Sequence, residues 1–155
     1  MTHVMLMSTD ADIIGTPLNS AWDPILARYT WSQVAALNLG IPNRATIVVI
    51  AHGNGDEIGN ARPGTVDISP ESFLVHIQAN MAQGGTPAAI YISTCAYGIA
   101  AFAAQVRIAA QNNQLWNNTR IFGHWNPVLG SVPGPNTSDW IQIFPRRRRV
   151  PAVHP

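Results

Sequence analysis

Two short apolar segments, residues 45–51 and 88–93, constrain the fold of this chain more than any other feature of its sequence. Both are rich in aliphatic residues, and neither alternates between apolar and polar side chains. That pattern is typical of strands covered on both faces inside a parallel sheet. Between them, Ser69, Pro70 and Glu71 are typical of a helix start. Strand, helix and strand in this order predict a right-handed crossover.

The rest of the sequence continues this alternation. Further elements are predicted at residues 3–7 (strand), 19–38 (helix, with a break or a start at Pro24), 99–110 (helix), 120–122 (strand) and 140–144 (strand). A loop rich in proline and glycine, residues 126–138, joins the last two. Strands that alternate with helices predict an α/β fold around a mostly parallel central sheet.

The composition is that of one folded domain. The chain has 155 residues and a mass of 16.7 kDa, and 46% of its residues are hydrophobic. A chain of this length can bury a continuous core, and this hydrophobic content is too high for a disordered protein. We therefore predict a single domain over residues 1–145, followed by an arginine- and proline-rich tail over residues 146–155.

The distribution of charge argues against a nucleic-acid partner. The formal net charge is +1, from nine basic and eight acidic residues. The arginine run 146–149 holds many of the basic residues, so the predicted domain is itself mildly acidic, unlike a surface that binds a phosphate backbone. The run has two interpretations: a solvated tail, or a site for phosphate, anionic membrane or nucleic acid.

No membrane span and no cleavable signal peptide are predicted. Residues 87–106 are uncharged and long enough to span a bilayer, but Ser93, Thr94, Cys95 and Gly98 favour a strand, a turn and a helix. The amino terminus lacks a basic segment followed by a long apolar one. We expect a cytoplasmic protein, or one exported by a signal-independent route.

Cysteine and histidine usage gives no sign of a metal centre. The single cysteine excludes an internal disulfide and a multi-cysteine metal site. His3, His76 and His154 show no ligand spacing with one another or with Cys95. No metal and no other cofactor are predicted.

A histidine and the cysteine follow the two apolar segments. His52 and Gly53 come after the first, and Cys95 comes after the second. Because parallel strands end at the same edge of a sheet, these side chains are expected to lie close together if the strands are neighbours. A thiolate beside an imidazole attacks acyl carbons, and the imidazole protonates the leaving amine. Either residue alone would more often be a buried apolar cysteine or an incidental histidine.

The residues next to this pair extend the hypothesis. A helix is predicted to begin near residues 96–98, and its positive end would favour the Cys95 thiolate. Gly53 permits close approach of the backbone, so its amide and that of Cys95 are predicted to form an oxyanion hole.

These residues resemble the caspase, legumain and gingipain clan of cysteine peptidases, most closely the autoprocessing protease domains of bacterial RTX and clostridial toxins. The likeness lies in residues 47–107, where an apolar strand ends in His-Gly, a helix follows, and a second apolar strand ends in a small residue and Cys. It implies a caspase-like three-layer α/β sandwich with a mostly parallel sheet. It also implies His52 and Cys95 as the dyad, and the amides of Gly53 and Cys95 as the oxyanion hole.

The resemblance carries further implications for the substrate and for activation. It places part of the pocket for the residue before the scissile bond at residues 121–125. The toxin domains bind inositol hexakisphosphate in a pocket of many lysines and arginines, whereas this chain has no lysine and few arginines before its tail. That cofactor is therefore not predicted. Because no toxin modules are attached, we expect action on a separate peptide or protein rather than self-processing.

Four more residues are candidates for substrate binding. Asp56 and Glu57 follow the His-Gly pair and would select a basic residue of a substrate, or else are solvated loop acids. His124 and Trp125 follow a predicted strand and would line the substrate pocket. The alternatives are a structural histidine and a core tryptophan.

The sequence as a whole predicts a bacterial effector-like or toxin-like cysteine endopeptidase that works through a thioester. Two alternatives stay open. One is a catalytically inactive caspase-like interaction module. The other is an acyl transferase or an amide hydrolase that uses the same dyad.

Overall fold

The computed structural model describes residues 1–146. Its strands are β1 (Thr2–Leu6), β2 (Ile25–Tyr29), β3 (Thr46–Gly53), β4 (Ile58–Gly59), β5 (Asp67–Ile68), β6 (Ala89–Thr94), β7 (Arg120–Gly123) and β8 (Ile141–Ile143). Its α-helices are α1 (Ala11–Ile14), α2 (Trp31–Ala35), α3 (Pro70–Ala79) and α4 (Ile99–Asn112). A short 3-10 helix covers Ser20–Trp22.

The main sheet has the strand order β2-β1-β3-β6-β7-β8. Every neighbouring pair is parallel except β7 and β8, which are antiparallel. Strands β4 and β5 form an antiparallel extension of β3. The prediction of an α/β fold around a mostly parallel sheet is therefore confirmed, and the carboxyl ends of β1, β3 and β6 share one edge.

Each face of the sheet packs against its own core. Helices α2, α3 and α4 cover one face, where Phe73 and Phe102 are fully buried. The other face is covered by α1, the 3-10 helix and loop residues, including Trp22 and Trp140. The second outer layer thus consists mainly of short helices and irregular segments. This arrangement is compatible with a three-layer sandwich.

The two segments that most constrained the prediction form the centre of the sheet. In β3 the five residues from Ile47 to Ala51 are buried, and β6 is buried along its whole length. The helix start between them is also confirmed, because the Ser69 hydroxyl accepts the Ser72 amide and Pro70 is the first helical residue. The helix ends at Ala79, before the Gly-Gly pair at residues 84–85.

The expected helix over residues 19–38 is wrong. This segment contains the 3-10 helix, the strand β2 and the short helix α2, which Thr30 caps at its start. Residues such as Leu26, Ala27 and Arg28 favour helices when considered locally. Hydrogen bonding of β2 to the edge of β1 overrides that preference, because strand formation depends on the neighbouring strand more than on intrinsic propensity.

Within residues 1–146, no helix is long and apolar enough to cross a membrane. The predicted tail, residues 146–155, lies outside the described residues except for Arg146. The backbone of Arg146 exchanges two hydrogen bonds with the Gln111 side chain near the end of α4.

Candidate active site

His52 and Cys95 lie side by side at the carboxyl edge of the sheet. Strands β3 and β6 are parallel neighbours, and their last paired residues are Ala51 and Thr94. The next residue of each strand is therefore His52 on one and Cys95 on the other. His52 Nδ1 lies 3.1 Å from Cys95 Sγ, within hydrogen-bond distance for sulfur. Cys95 is a free, exposed thiol.

Two carboxylates that the sequence analysis did not include contact the other side of the imidazole. His52 Nε2 lies 3.1 Å from Asp12 Oδ1 and 3.0 Å from its Oδ2, and 3.4 Å from Asp10 Oδ2. Both aspartates follow β1, which is the other neighbour of β3. The signal in the sequence was the acidic residues directly after a short apolar strand, because the carboxyl end of that strand lies at the same edge.

The contacts of His52 assign its two nitrogens different roles. An Nε2 proton donated to Asp12 leaves Nδ1 as the atom that accepts a proton from the thiol. The hydrogen bond from His52 is the largest of the effects that lower the pKa of Asp12. Asp12 is largely exposed, so its effect on the imidazole is moderated by solvent.

The same carboxylates and imidazole could also share a cation. Ligand atoms of Asp10, Asp12 and His52 all lie within 4.8 Å of one another. Oxygen and imidazole nitrogen are suitable ligands for several divalent metals. The prediction that no metal binds rested on the spacing of His3, His76 and His154 and did not consider this cluster. It therefore stays a prediction.

Gly53 presents its backbone amide on the side of β3 that faces β6. Gly53 pairs with Ile58 of β4, and the Asn54 amide donates to the Glu57 carbonyl at 2.9 Å. Because bonded and non-bonded pairs alternate in an antiparallel ladder, Gly53 and Ile58 are a non-bonded pair. Strand β4 lies on the β1 side, where Asn60 hydrogen-bonds the segment after β1. The Gly53 amide is thus directed away from β4.

The close approach of β4 also explains why residue 53 is glycine. A Cβ at Gly53 would lie 2.8 Å from Ile58 Cγ2 and 3.0 Å from the Glu57 carbonyl oxygen. The first contact is shorter than real Cβ atoms show, so a side chain at residue 53 would require Ile58 and the backbone at Glu57 to shift. Glycine therefore allows the β3–β4 connection to fold tightly beside His52.

The helix after Cys95 starts directly after residues 96–98, as the sequence predicts. Helix α4 begins at Ile99, with Gly98 as its N-cap at φ 72°. The Gly98 amide donates to the Trp125 carbonyl at 2.8 Å, and the Ala100 amide donates to the His124 carbonyl at 2.9 Å. These two amides are therefore bonded to the segment after β7 and are not available to the Cys95 thiolate.

A cleft of about 240 Å³ opens on the His52 side of the pair. His52, Gly53 and Cys95 line it, together with Glu57 and Asp67. Of the two acids expected to contact a substrate, Glu57 thus lies at the cleft. Asp56 lies in the turn between β3 and β4, where its amide donates to the Asn54 side chain, and it is not among the lining residues.

A second cavity of about 290 Å³ lies on the other side of Cys95. The residues that line it come from β3, β6, α1 and the loop after β7: Asp12, Ile13, Gly15, Thr16, Pro17, Ile50, Ala51, Ser93, Thr94, Cys95, Val128, Leu129 and Gly130. Most of this surface is apolar. None of the lining residues is basic.

His124 and Trp125 occupy different environments. The His124 side chain is buried, and its Nε2 accepts a hydrogen bond from the Thr94 amide at 3.0 Å. Trp125 is 56% exposed and lines a groove with Leu129 that adjoins the second cavity. The structure thus places His124 against the backbone of the residue before Cys95, and it leaves the Trp125 side chain exposed at the surface.

Comparisons of the chain with models of known protein families, with curated proteins and with solved structures found no match in any of the three.

Proposed function

We propose that this protein is a caspase-like cysteine peptidase that hydrolyses peptide bonds through a thioester on Cys95. The observation that carries this proposal is the row formed by the Cys95 thiol, the His52 imidazole and the Asp12 carboxylate. It lies at the carboxyl edge of a mostly parallel sheet, where α/β proteins bind their ligands. The His-Gly strand, helix and Cys strand support the caspase-like assignment.

Acylation begins with transfer of the thiol proton to His52 Nδ1. The thiolate attacks the carbonyl carbon of the scissile bond, forming a C–S bond and an oxyanion. The amides of Gly53 and Cys95 stabilise that oxyanion. When the carbonyl re-forms, the C–N bond breaks and His52 returns the proton to the leaving amine.

Deacylation uses the same groups in reverse. A water molecule gives a proton to His52 Nδ1, and its oxygen attacks the thioester carbon. The C–S bond breaks, the carboxylic acid product leaves, and Cys95 regains its proton from His52. Asp12 holds the ring orientation and stabilises the imidazolium through both steps.

The two cavities beside Cys95 support an assignment of the two sides of the scissile bond to different parts of the site. The cleft on the His52 side takes the leaving amine, because that amine receives its proton from His52. The largely apolar cavity takes the side chain before the scissile bond. It has no basic lining residue, so an uncharged aliphatic side chain fits it better than an acidic one.

The first test is the rate at which iodoacetamide alkylates Cys95, measured from about pH 5 to about pH 9. We expect a fast reaction in the wild type that is slowed or shifted in pH in His52→Ala. His76→Ala is the matched control, because His76 lies on α3 and is bonded to Ser72. A wild-type rate equal to that of His52→Ala would contradict the proposal and favour an inactive interaction module.

The second test is turnover. A library of peptides and unfolded proteins is incubated with the wild type and with Cys95→Ala, and the new amino termini are identified. Cleavage by the wild type alone supports a peptidase. A reactive Cys95 that cleaves no peptide but hydrolyses simple amides, or transfers acyl groups to hydroxylamine, supports the alternative that keeps the dyad and changes the substrate.

A further inference from the structure

The residue before the nucleophile is hydrogen-bonded at three of its atoms. The Thr94 amide donates to His124 Nε2 at 3.0 Å, and the Thr94 carbonyl accepts the Val128 amide at 2.9 Å. The Thr94 hydroxyl accepts the Ala96 amide at 3.2 Å. The position of the peptide that carries the Cys95 amide is therefore set by these contacts.

The His124 ring takes the place of a missing strand partner. The ladder between β6 and β7 ends at the pair Tyr91 and Phe122, whereas β6 continues to Thr94. Strand β7 ends at Gly123, where it is still paired with β8, so no β7 carbonyl is paired with the Thr94 amide. The imidazole nitrogen accepts this amide instead, which satisfies a buried backbone donor.

The same segment also holds the far end of the loop that carries Cys95. The His124 and Trp125 carbonyls accept the amides of Ala100 and Gly98 at the start of α4. The loop between β6 and α4 is thus bonded at both ends to residues 124–128. Movement of the His124 ring would change the position of Thr94 and, with it, the Cys95 amide and thiol.

We infer that His124 is a positioning residue, whose neutral imidazole carries its proton on Nδ1 and holds the Thr94–Cys95 peptide in the geometry that the reaction requires. This inference rests on the proposed function. Protonation of Nε2 would replace the acceptor by a donor and break the bond to the Thr94 amide.

The surroundings of the ring favour the neutral form. Burial lowers the pKa of His124, against opposing effects from the Asn126 backbone and the Asp139 carboxylate. The Trp140 ring packs edge-on to the His124 ring, with the ring centroids 6.1 Å apart. From β6, the Thr94 amide donates to His124 Nε2. Among residues 1–146, the buried His124 Nδ1 has no hydrogen-bond partner.

Two variants separate positioning from simple packing. His124→Gln places an amide oxygen near the site of Nε2 and keeps an acceptor for the Thr94 amide, without an ionisable group. His124→Phe keeps the ring volume and removes the acceptor. Two readouts are compared with the wild type: the alkylation rate of Cys95 and the hydrogen-exchange protection of the Thr94 amide.

We expect His124→Gln to retain Thr94 protection and to alkylate within about threefold of the wild type, because an acceptor remains. We expect His124→Phe to lose Thr94 protection and to alkylate at least about tenfold more slowly, while the amides of β3 stay protected. Wild-type protection and reactivity in His124→Phe would overturn the inference. Equal losses in both variants would also overturn it, because they would indicate packing alone.

If His124→Phe does not fold, a third measurement on the wild type still tests the inference. The ¹⁵N shifts of the wild-type ring report its tautomer, and we expect the Nδ1–H form at neutral pH. An Nε2–H ring would overturn the inference. The exchange and tautomer readouts need no peptidase activity, so an inert wild-type thiol would count against the proposed function while leaving these two results to decide the role of His124.

Discussion

His52 lies between a thiol and a carboxylate, and each contact can be tested separately. We expect Asp12→Asn to slow alkylation of Cys95 at neutral pH by at least about tenfold. The asparagine side chain, unlike the carboxylate, neither stabilises the His52 imidazolium nor fixes the tautomer of the ring. Asp10→Asn should have a smaller effect, since its oxygen lies farther away, at 3.4 Å. Asp23→Asn serves as a control. Equal alkylation rates in Asp12→Asn and Asp23→Asn would show that Asp12 does not affect the reactivity of Cys95.

The cluster of Asp10, Asp12 and His52 raises the question of a cation. Dyad chemistry needs none, so we expect EDTA to leave the alkylation rate of the wild type within about twofold of the untreated rate. The alkylation rate is measured on untreated protein, on EDTA-treated protein, and on treated protein after zinc or magnesium is added. Loss of reactivity in EDTA that a metal restores would contradict this expectation and assign the cluster to metal binding.

Two buried histidines make the stability of the fold depend on pH. Burial lowers the folded-state pKa of His124 and of His3. Just below the ordinary histidine value of about 6.5, the unfolded chain therefore binds more protons than the folded one. The free energy of unfolding should fall as the pH drops through this window and stay level below the folded-state pKa.

Urea unfolding at about pH 7.5 and about pH 5 measures this loss. His124→Gln should reduce the pH dependence of the unfolding free energy, and His3→Gln should reduce it separately. An unchanged pH dependence in both variants would show that other groups control it.

At the scale of elements, one glycine sets how closely α4 approaches β7. A Cβ on Gly123 would lie 2.8 Å from Ala100 Cα and 3.0 Å from its amide nitrogen. We expect Gly123→Ala to lower the free energy of unfolding by about 1–3 kcal/mol, because the helix must shift away from the sheet. Gly55→Ala is the control, since its Cβ would make an ordinary contact of 3.5 Å with Ala101. Thermal or urea unfolding gives the comparison, and equal stabilities would refute the close-approach argument.

The elements differ in how well local sequence predicted them. Strands β3 and β6 and the start of α3 were predicted correctly, because their signals are local: apolar runs and a Ser-Pro-Glu start. Strand β2 was predicted as helix, since its residues favour a helix until β1 supplies a hydrogen-bonding edge. The β4–β5 extension was not predicted, because two-residue strands carry no periodic pattern.

At the scale of the whole molecule, stability depends on the core beneath α3 and α4. Phe73 and Phe102 are fully buried there, with ring centroids 5.6 Å apart in an edge-to-face arrangement. We expect Phe102→Ala to lower the free energy of unfolding by about 3–5 kcal/mol through the cavity it leaves. Val75→Ala, at a side chain that is 58% exposed, should change it by less than about 0.5 kcal/mol. A small effect of Phe102→Ala would mean that this core is not tightly packed.

The sequence by itself determined the fold class and the pairing of His52 with Cys95 at the carboxyl edge of the sheet. Burial of two apolar strands requires a covered parallel sheet, and parallel strands bring their carboxyl ends to one edge, so His52 and Cys95 were within reach of local reasoning. Only the tertiary structure brought Asp12 to the imidazole and His124 to the Thr94 amide. Those contacts depend on which strands are neighbours and on where β7 ends. Both are properties of packing between distant segments, which local sequence patterns do not encode.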